Sequence, residues 1–336
     1  MATIKDIARE AKVSVGTVSK VLNGNQSVKP QNYQRVIDAI HKLNYRPNLV
    51  ARTLKTKVSK SIGLIIPDIT NPYYPEVARG AEDAAKKAGF TVFLCNTDRK
   101  ASEEKEYLDA LINKNVDGII LVKPQTEISE LCELKRYCEL VTVDVNDKFN
   151  KYFDVVNVND GLGAKKAMDL LFEYGHKRIA YISGLMESEG SKLRYLSYIT
   201  ALKERGIELD DRFVKQGDYD WFSGYISTLE LLDLSNRPTA IFTSNDIMAF
   251  GAIKALRERN IKVPDEMSII GFDDIHMASY CTPQLTTVRQ PKYEFGTSCV
   301  EMLINRIQNP HKEDEPYMNM VFQPEIIFRE TVTYPR

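Results

Sequence analysis

The sequence predicts an all-α helix-turn-helix head joined to an α/β core of two doubly wound parallel-sheet lobes. Two short amphipathic helices separated by a turn of a few residues predict the head. Apolar runs that alternate with helical stretches, in two successive series, predict the core. Charge divides the chain at the same place. Residues 1–60 hold twelve Lys and Arg against three Asp and Glu, and the remaining 276 hold 33 against 43, so a net of +9 is joined to a net of −10. A basic module on an acidic body attracts a polyanion at one end and repels it elsewhere.

In the head, Ile4, Ile7, Ala8 and Ala11 recur at helical spacing, with Thr3 and Asp6 placed as a capping box. The first helix is expected over Ile4 to Ala11. After Lys12-Val13, Ser14 caps a second helix that continues through Val18, Val21 and Leu22 and stops near Asn23-Gly24. A third fits Lys29 to Leu43, with Pro30 in its first turn and Tyr33, Val36, Ile37 and Ile40 available to roof the first two. In such a motif the second helix enters the major groove of double-stranded DNA, N-terminal end first. Base reading then falls to Val15, Gly16, Thr17 and Lys20. Lys20 donates to guanine O6 or N7, Val15 meets a thymine methyl, and Gly16 lets the backbone come close. Ser14, Thr17, Ser19 and Asn23 suit phosphates, which position the helix without specifying sequence. A three-helix domain that docks on protein would leave the basic excess and the polar helix face without a reason.

Next comes Asn44-Tyr45-Arg46-Pro47-Asn48-Leu49-Val50-Ala51-Arg52-Thr53-Leu54-Lys55-Thr56. Pro47 can open a helix of about two turns, too short to be stable by itself. This segment resembles the hinge helix of the LacI family of bacterial regulators, with Thr53 where Ser is usual, and the resemblance extends over the whole chain. It implies that two hinge helices of a homodimer enter the minor groove side by side, with Asn48, Ala51 and Lys55 at the DNA and Leu54 wedged into the central base step. It also implies a division into a DNA-binding domain (1–46), a hinge and linker (47–60) and an effector-binding and dimerisation core (61–336). Within that core the first lobe takes about 61–159 and 289–317, and the second about 160–288 and 318–336.

The core's expected buried strands are Ser61–Ile66, Thr91–Cys95, Gly118–Val122 and Val141–Val143, then Arg178–Ile182, Thr239–Thr243 and Met267–Gly271, with a last one at Glu325–Phe328. The echo of Lys86-Lys87-Ala88-Gly89 in Lys203-Glu204-Arg205-Gly206 suggests duplication, with Gly capping a helix in each. A length of 336 residues suits a small head and two lobes. The absence of a run of about eighteen apolar residues argues against a membrane span, and a helix at the start argues against a signal peptide, so a cytoplasmic protein is expected. Cys95, Cys132, Cys138, Cys281 and Cys299 lack zinc-site spacing and read as reduced thiols, with no metal expected.

Parallel sheets bind ligands beyond the carboxyl ends of their strands, and two facing lobes make that a cleft. The loops there are rich in carboxylates, amides and rings, which suit a polyhydroxylated ligand. The resemblance makes Arg194, Asp246 and Asp273 the best matches to effector contacts, with Tyr73, Asp144, Tyr219 and Asn245 next. Each Asp could instead cap the helix after its strand. Trp221 either stacks on ligand or covers the lobe junction. Gly190 stands where family members place a Ser or Thr contact, which leaves Ser188 or Ser191 to supply it.

Three features invite an enzymatic reading. Gly161-Leu162-Gly163 follows a plausible strand and opens a helix, but Lys166 replaces the third glycine of a dinucleotide fingerprint, so no cofactor is expected. His176 at a helix end suits pairing with the helix dipole rather than a catalytic triad. Asp273-Asp274 suits hydroxyl reading better than acid-base work. The expected function is therefore a non-enzymatic, sequence-specific repressor of carbohydrate genes, released from a palindromic operator by a sugar or sugar acid. The alternatives are a corepressor-dependent regulator responding to a purine or a phosphorylated carrier protein, and a sugar-binding enzyme with a fused head. The chain's end soon after its last strand, with no heptad tail, suits a dimer.

Overall fold

A computed structural model describes residues 2–22, 27–45, 58–312 and 315–336. The chain divides into two units, Met1–Ser59 and Lys60–Arg336. The first holds α1 (Ile4–Ala11), α2 (Val15–Leu22) and α3 (Pro30–Lys42). Both halves of the capping box form, with the Asp6 amide donating to Thr3 Oγ1 at 3.3 Å and the Thr3 amide to Asp6 Oδ2 at 2.9 Å. Ile7, Val18, Val21 and Val36 close a small core. Tyr33 was expected in that roof but is exposed. The buried stripe of α3 runs instead through Val36 and Ala39, with Ile37 and Ile40 partly buried beside it.

The second unit contains two six-stranded sheets. The first lobe alternates β1 (Ser61–Ile66), α4 (Tyr73–Lys87), β2 (Thr91–Asn96), α5 (Ala101–Asn113), β3 (Gly118–Val122), α6 (Ile128–Leu134), β4 (Glu139–Val143) and β5 (Asp154–Val158). The second lobe follows with α7 (Asp160–Glu173), β6 (Ile179–Ser183), α8 (Glu189–Glu204), β7 (Val214–Gln216), α9 (Trp221–Leu232), β8 (Ala240–Thr243), α10 (Asp246–Glu258), β9 (Ser268–Asp273) and β10 (Thr286–Arg289). The chain then returns to α11 (Lys292–Gln308), packed on α4, and to β11 (Asn319–Phe322), and ends in the second sheet with β12 (Glu325–Ile327).

Strand order is β11-β5-β4-β3-β1-β2 in one sheet and β12-β10-β9-β8-β6-β7 in the other, the same order of positions twice. Neighbours run parallel, as in Ile62 opposite Val92, except that β12 is antiparallel to β10. Gly89 and Gly206 both take positive φ (76° and 66°), which fits the echoed helix ends.

Several expectations change. β2 is an edge strand with Phe93 and Leu94 exposed, not a buried one. β5 is the strand expected ahead of Gly161, whereas β7, β10 and β11 were missed. β11 joins the first sheet through pairs such as Val321 with Asn157, so residues 319–322 lie in the first lobe and the final crossing follows Phe322. His176 is not a dipole-pairing cation. It is buried, its ring nitrogens bond Thr239, Ser268 and the Thr333 carbonyl, and burial lowers its pKa. Gly163 serves packing, because a Cβ there would come within 2.8 Å of the Phe272 ring.

Candidate functional site

Two surfaces carry chemistry, one in each unit. In the head, Ser14 Oγ accepts the Thr17 amide at 3.1 Å and lies 2.9 Å from Thr17 Oγ1, so these hydroxyls fix the start of α2. Val18 and Val21 turn inward, which leaves Val15, Gly16 and Lys20 exposed and Thr17 and Ser19 half-buried. Of the expected DNA contacts, Asn23, Asn48, Ala51, Leu54 and Lys55 lie outside the described residues.

The second surface is a cleft of about 330 Å³ between the lobes, at the carboxyl ends of their strands. Tyr73, Asp144, Arg194, Tyr219 and Asp273, all expected there, line it together. Asp144 follows β4 and Asp273 ends β9, the corresponding strand of the second sheet. Five lining residues, Arg99, Lys123, Asp144, Tyr219 and Asp273, have φ of 59°, 54°, 56°, 72° and 118°. Non-glycine residues pay strain there, and such strain clusters at ligand sites.

Arg194 is fixed on every side. Its Nε donates to Asp160 Oδ1 at 2.7 Å, Nη1 bonds the Ser244 carbonyl, and the guanidinium lies 3.7 Å from the Phe272 ring centroid. Burial raises the Asp160 pKa, against the opposing pull of Arg194. Asp273 is likewise pushed up, to about 6, by burial, with Arg194, Lys292 and Gln290 restraining the rise. Its Oδ1 accepts Gln290 Nε2 at 2.6 Å, and its carbonyl accepts Lys292 Nζ at 2.7 Å. Desolvation lowers the Lys123 pKa, but Asp144 and the neighbouring tyrosines outweigh it and hold the group well above its ordinary value. Burial raises Tyr74 to about 12. The Tyr219 hydroxyl is buried without a hydrogen-bond partner among the described residues, and its ring lies against Gly184, where a Cβ would meet it at 2.1 Å.

Three expected contacts fall elsewhere. Trp221 is 46 % exposed and packs edge-on to Phe222 and Tyr225 on α9, away from the cleft lining. Asn245 caps α10, accepting the Met248 amide at 2.9 Å, and its Nδ2 donates to the Tyr219 carbonyl. Asp246 is fully buried under the cleft floor, where Thr287 Oγ1 and the Ile275 amide bond it. Both carboxyamide and carboxylate thus support the wall rather than line it. At Gly190 a Cβ would sit 2.8 Å from Asp160 Oδ2, so the position is closed to a Ser or Thr by the partner of Arg194. Lys123 and Gln290 line the cleft and were missed, since neither type after an apolar strand stands out from an ordinary loop.

The two surfaces define a class: a helix-turn-helix DNA reader carried by a two-lobed small-molecule binder. Residues 3–48 match the model of "Bacterial regulatory proteins, lacI family", and residues 168–332 that of a periplasmic binding protein-like domain. The chain is 36 % identical over 333 residues to the HTH-type transcriptional repressor PurR of Histophilus somni, spanning 99 % of each. It is 38 % identical over 311 residues to the ribose operon repressor of Escherichia coli, covering 92 % of this chain and 94 % of that one. The Lac repressor dimer bound to operator and the anti-inducer ONPF superposes with a TM-score of 0.87 at 25 % identity, over 99 % of both chains. The chain therefore belongs to the lacI family of bacterial regulatory proteins. Among the described residues no helix is long and apolar enough to cross a membrane.

Proposed function

We infer that the protein is a cytoplasmic, dimeric repressor of carbohydrate genes, without catalysis of its own, released from a palindromic operator when a sugar enters the cleft. The observation that carries this is the cleft lining itself, in which carboxylates, cations and tyrosines converge from two lobes in one chain with a DNA-reading helix. Two relatives spanning most of the chain are repressors, one named for ribose, which supports both the action and the ligand class.

Dimerisation has support in the apolar surfaces of both lobes. Phe93 and Leu94 stand exposed on the edge strand β2, and Trp221 and Phe222 on α9, with Tyr280 77 % exposed after β9. Unpartnered edge strands and aromatic patches are surfaces that proteins normally cover. Ligand that favours one arrangement of the lobes shifts the partnered first lobes, and only its differential affinity for the two arrangements can drive release.

The test is recovery of genomic fragments on the purified chain at fixed salt, with and without a panel of sugars, because nonspecific binding falls steeply with salt. A palindrome lost on addition of one sugar is the expected result. Retention that rises with ligand would instead make the ligand a corepressor. Lys20→Ala is expected to lose base discrimination while keeping its general affinity.

A further inference from the structure

Every cation that lines the cleft has a protein counter-ion. Arg99 meets Asp68 at 3.1 Å, Lys192 meets Glu189 at 3.8 Å, Arg194 meets Asp160 at 2.7 Å and Lys123 meets Asp144 at 2.9 Å. The last pair differs from the others in position. Its two members alone both have left-handed φ and both line the cleft from the loops after first-lobe strands, each side chain about one-fifth exposed. Lys123 Nζ also reaches to 3.5 Å from Ser188 Oγ and 5.4 Å from the Tyr219 ring centroid, both in the second lobe.

An ammonium has three donors and a carboxylate has about four acceptor sites. Asp144 takes one donor of Lys123, and the Tyr219 ring faces the ammonium from the other lobe. The pair therefore sets a donor and an acceptor side by side at the cleft wall. That pattern matches two adjacent hydroxyls, one accepting from Lys123 and the other donating to Asp144. A carboxylate or phosphate at the same place would draw Lys123 away and leave Asp144 a half-buried negative charge beside another. Leaving a buried charge without its partner is strongly unfavourable.

We propose that the Lys123–Asp144 pair reads neighbouring hydroxyls of a neutral polyol and rejects ligands that place an acid group there. This rests on the effector reading above and narrows it from sugars or sugar acids to uncharged carbohydrates.

Calorimetric titration of the full-length protein tests it, using neutral aldoses and alditols beside the matching aldonates and phosphate esters. A neutral compound is expected to bind, and its acid counterpart to bind about ten- to a hundredfold more weakly. Lys123→Met should weaken the neutral ligand about tenfold, and Lys123→Gln, which keeps a donor, should restore part of that loss. Thermal unfolding of each variant separates lost contacts from lost fold. An acid that binds more tightly than its neutral parent overturns the proposal and leaves the carbohydrate reading standing. So does neutral binding unchanged in folded Lys123→Met. Absence of binding by neutral and acidic compounds alike would overturn the effector reading and this proposal with it.

Discussion

Each lobe contains a fully buried arginine–aspartate pair among its described residues, and the two pairs do different things. In the first lobe Arg306 of α11 donates from Nε and Nη2 to Asp154 at 2.8 and 2.9 Å, and Asp154 also accepts the Met318 amide at 2.8 Å. This pair ties the start of β5 to the end of α11 and lies outside the cleft lining. In the second lobe Arg194 and Asp160 are as buried, but the arginine faces the cleft. The same chemistry is a tie rod in one lobe and a prearranged donor in the other. What separates them is which end of the sheet they occupy: Asp154 begins its strand, whereas the Arg194 network reaches Ser244, just past the end of β8.

Removing one partner from each pair is the strongest way to break that contrast. Arg306→Met leaves Asp154 uncompensated and should cost about 3–5 kcal/mol in urea unfolding, with sugar affinity unchanged in the folded fraction. Arg194→Met should cost about 3 kcal/mol, the lower end of that range. Asp160 is already pushed upward by burial and can take a proton. Unlike the first variant it should also lose ligand binding by titration. Equal ligand loss in both would erase the distinction.

The second-lobe wall of the cleft should also show itself through pH. Asp273 is raised from its ordinary 3.8 to about 6, so the folded state holds its proton more tightly than the unfolded state does. The stabilisation this gives is complete below about pH 4 and is lost as pH rises through 6. Asp273→Asn lacks that dependence. Its stability relative to the parent should therefore climb between pH 4 and 6, by up to about 3 kcal/mol, read as urea midpoints at several pH values. A flat difference would mean that the carboxyl is not perturbed. The smallest effect belongs to Asn245→Ala, which removes the cap of α10 and should cost about 1 kcal/mol, with a secondary loss in ligand affinity through the freed Tyr219 carbonyl.

The head and the two-lobed plan were legible because their signals are local. Thr3 with Asp6 writes a cap, and runs such as Ile62 to Ile66 can only be buried strands. Some strands that mix polar residues were not legible. Thr286-Thr287-Val288-Arg289 carries polar side chains whose partners are distant in sequence: Thr286 Oγ1 accepts the Arg329 amide and Thr287 Oγ1 donates to Asp246. Apolar β2 misled in the opposite way, since nothing in Thr91–Asn96 says that it lies at an edge. At the cleft, carboxylates after strands could be located but not divided by role. Asp273 lines the wall and Asp246 supports it because of where Thr287 and Ile275 fall. Lys123 acquires meaning only from Asp144, a residue on the next strand's loop.

The three crossings between lobes, after Val158, Arg289 and Phe322, set the order in which the molecule can be completed. A chain emerging from the ribosome presents β1 to β5 early, yet β11, the sixth strand of that sheet, comes only after nearly all of the second lobe. Helix α11, which covers the first sheet beside α4, also arrives late. Until then β5 is an open edge and the apolar side chains beneath α11 face water. The first lobe to be made is thus among the last to be finished, and the nascent core is exposed to mispairing or chaperone capture for most of its synthesis.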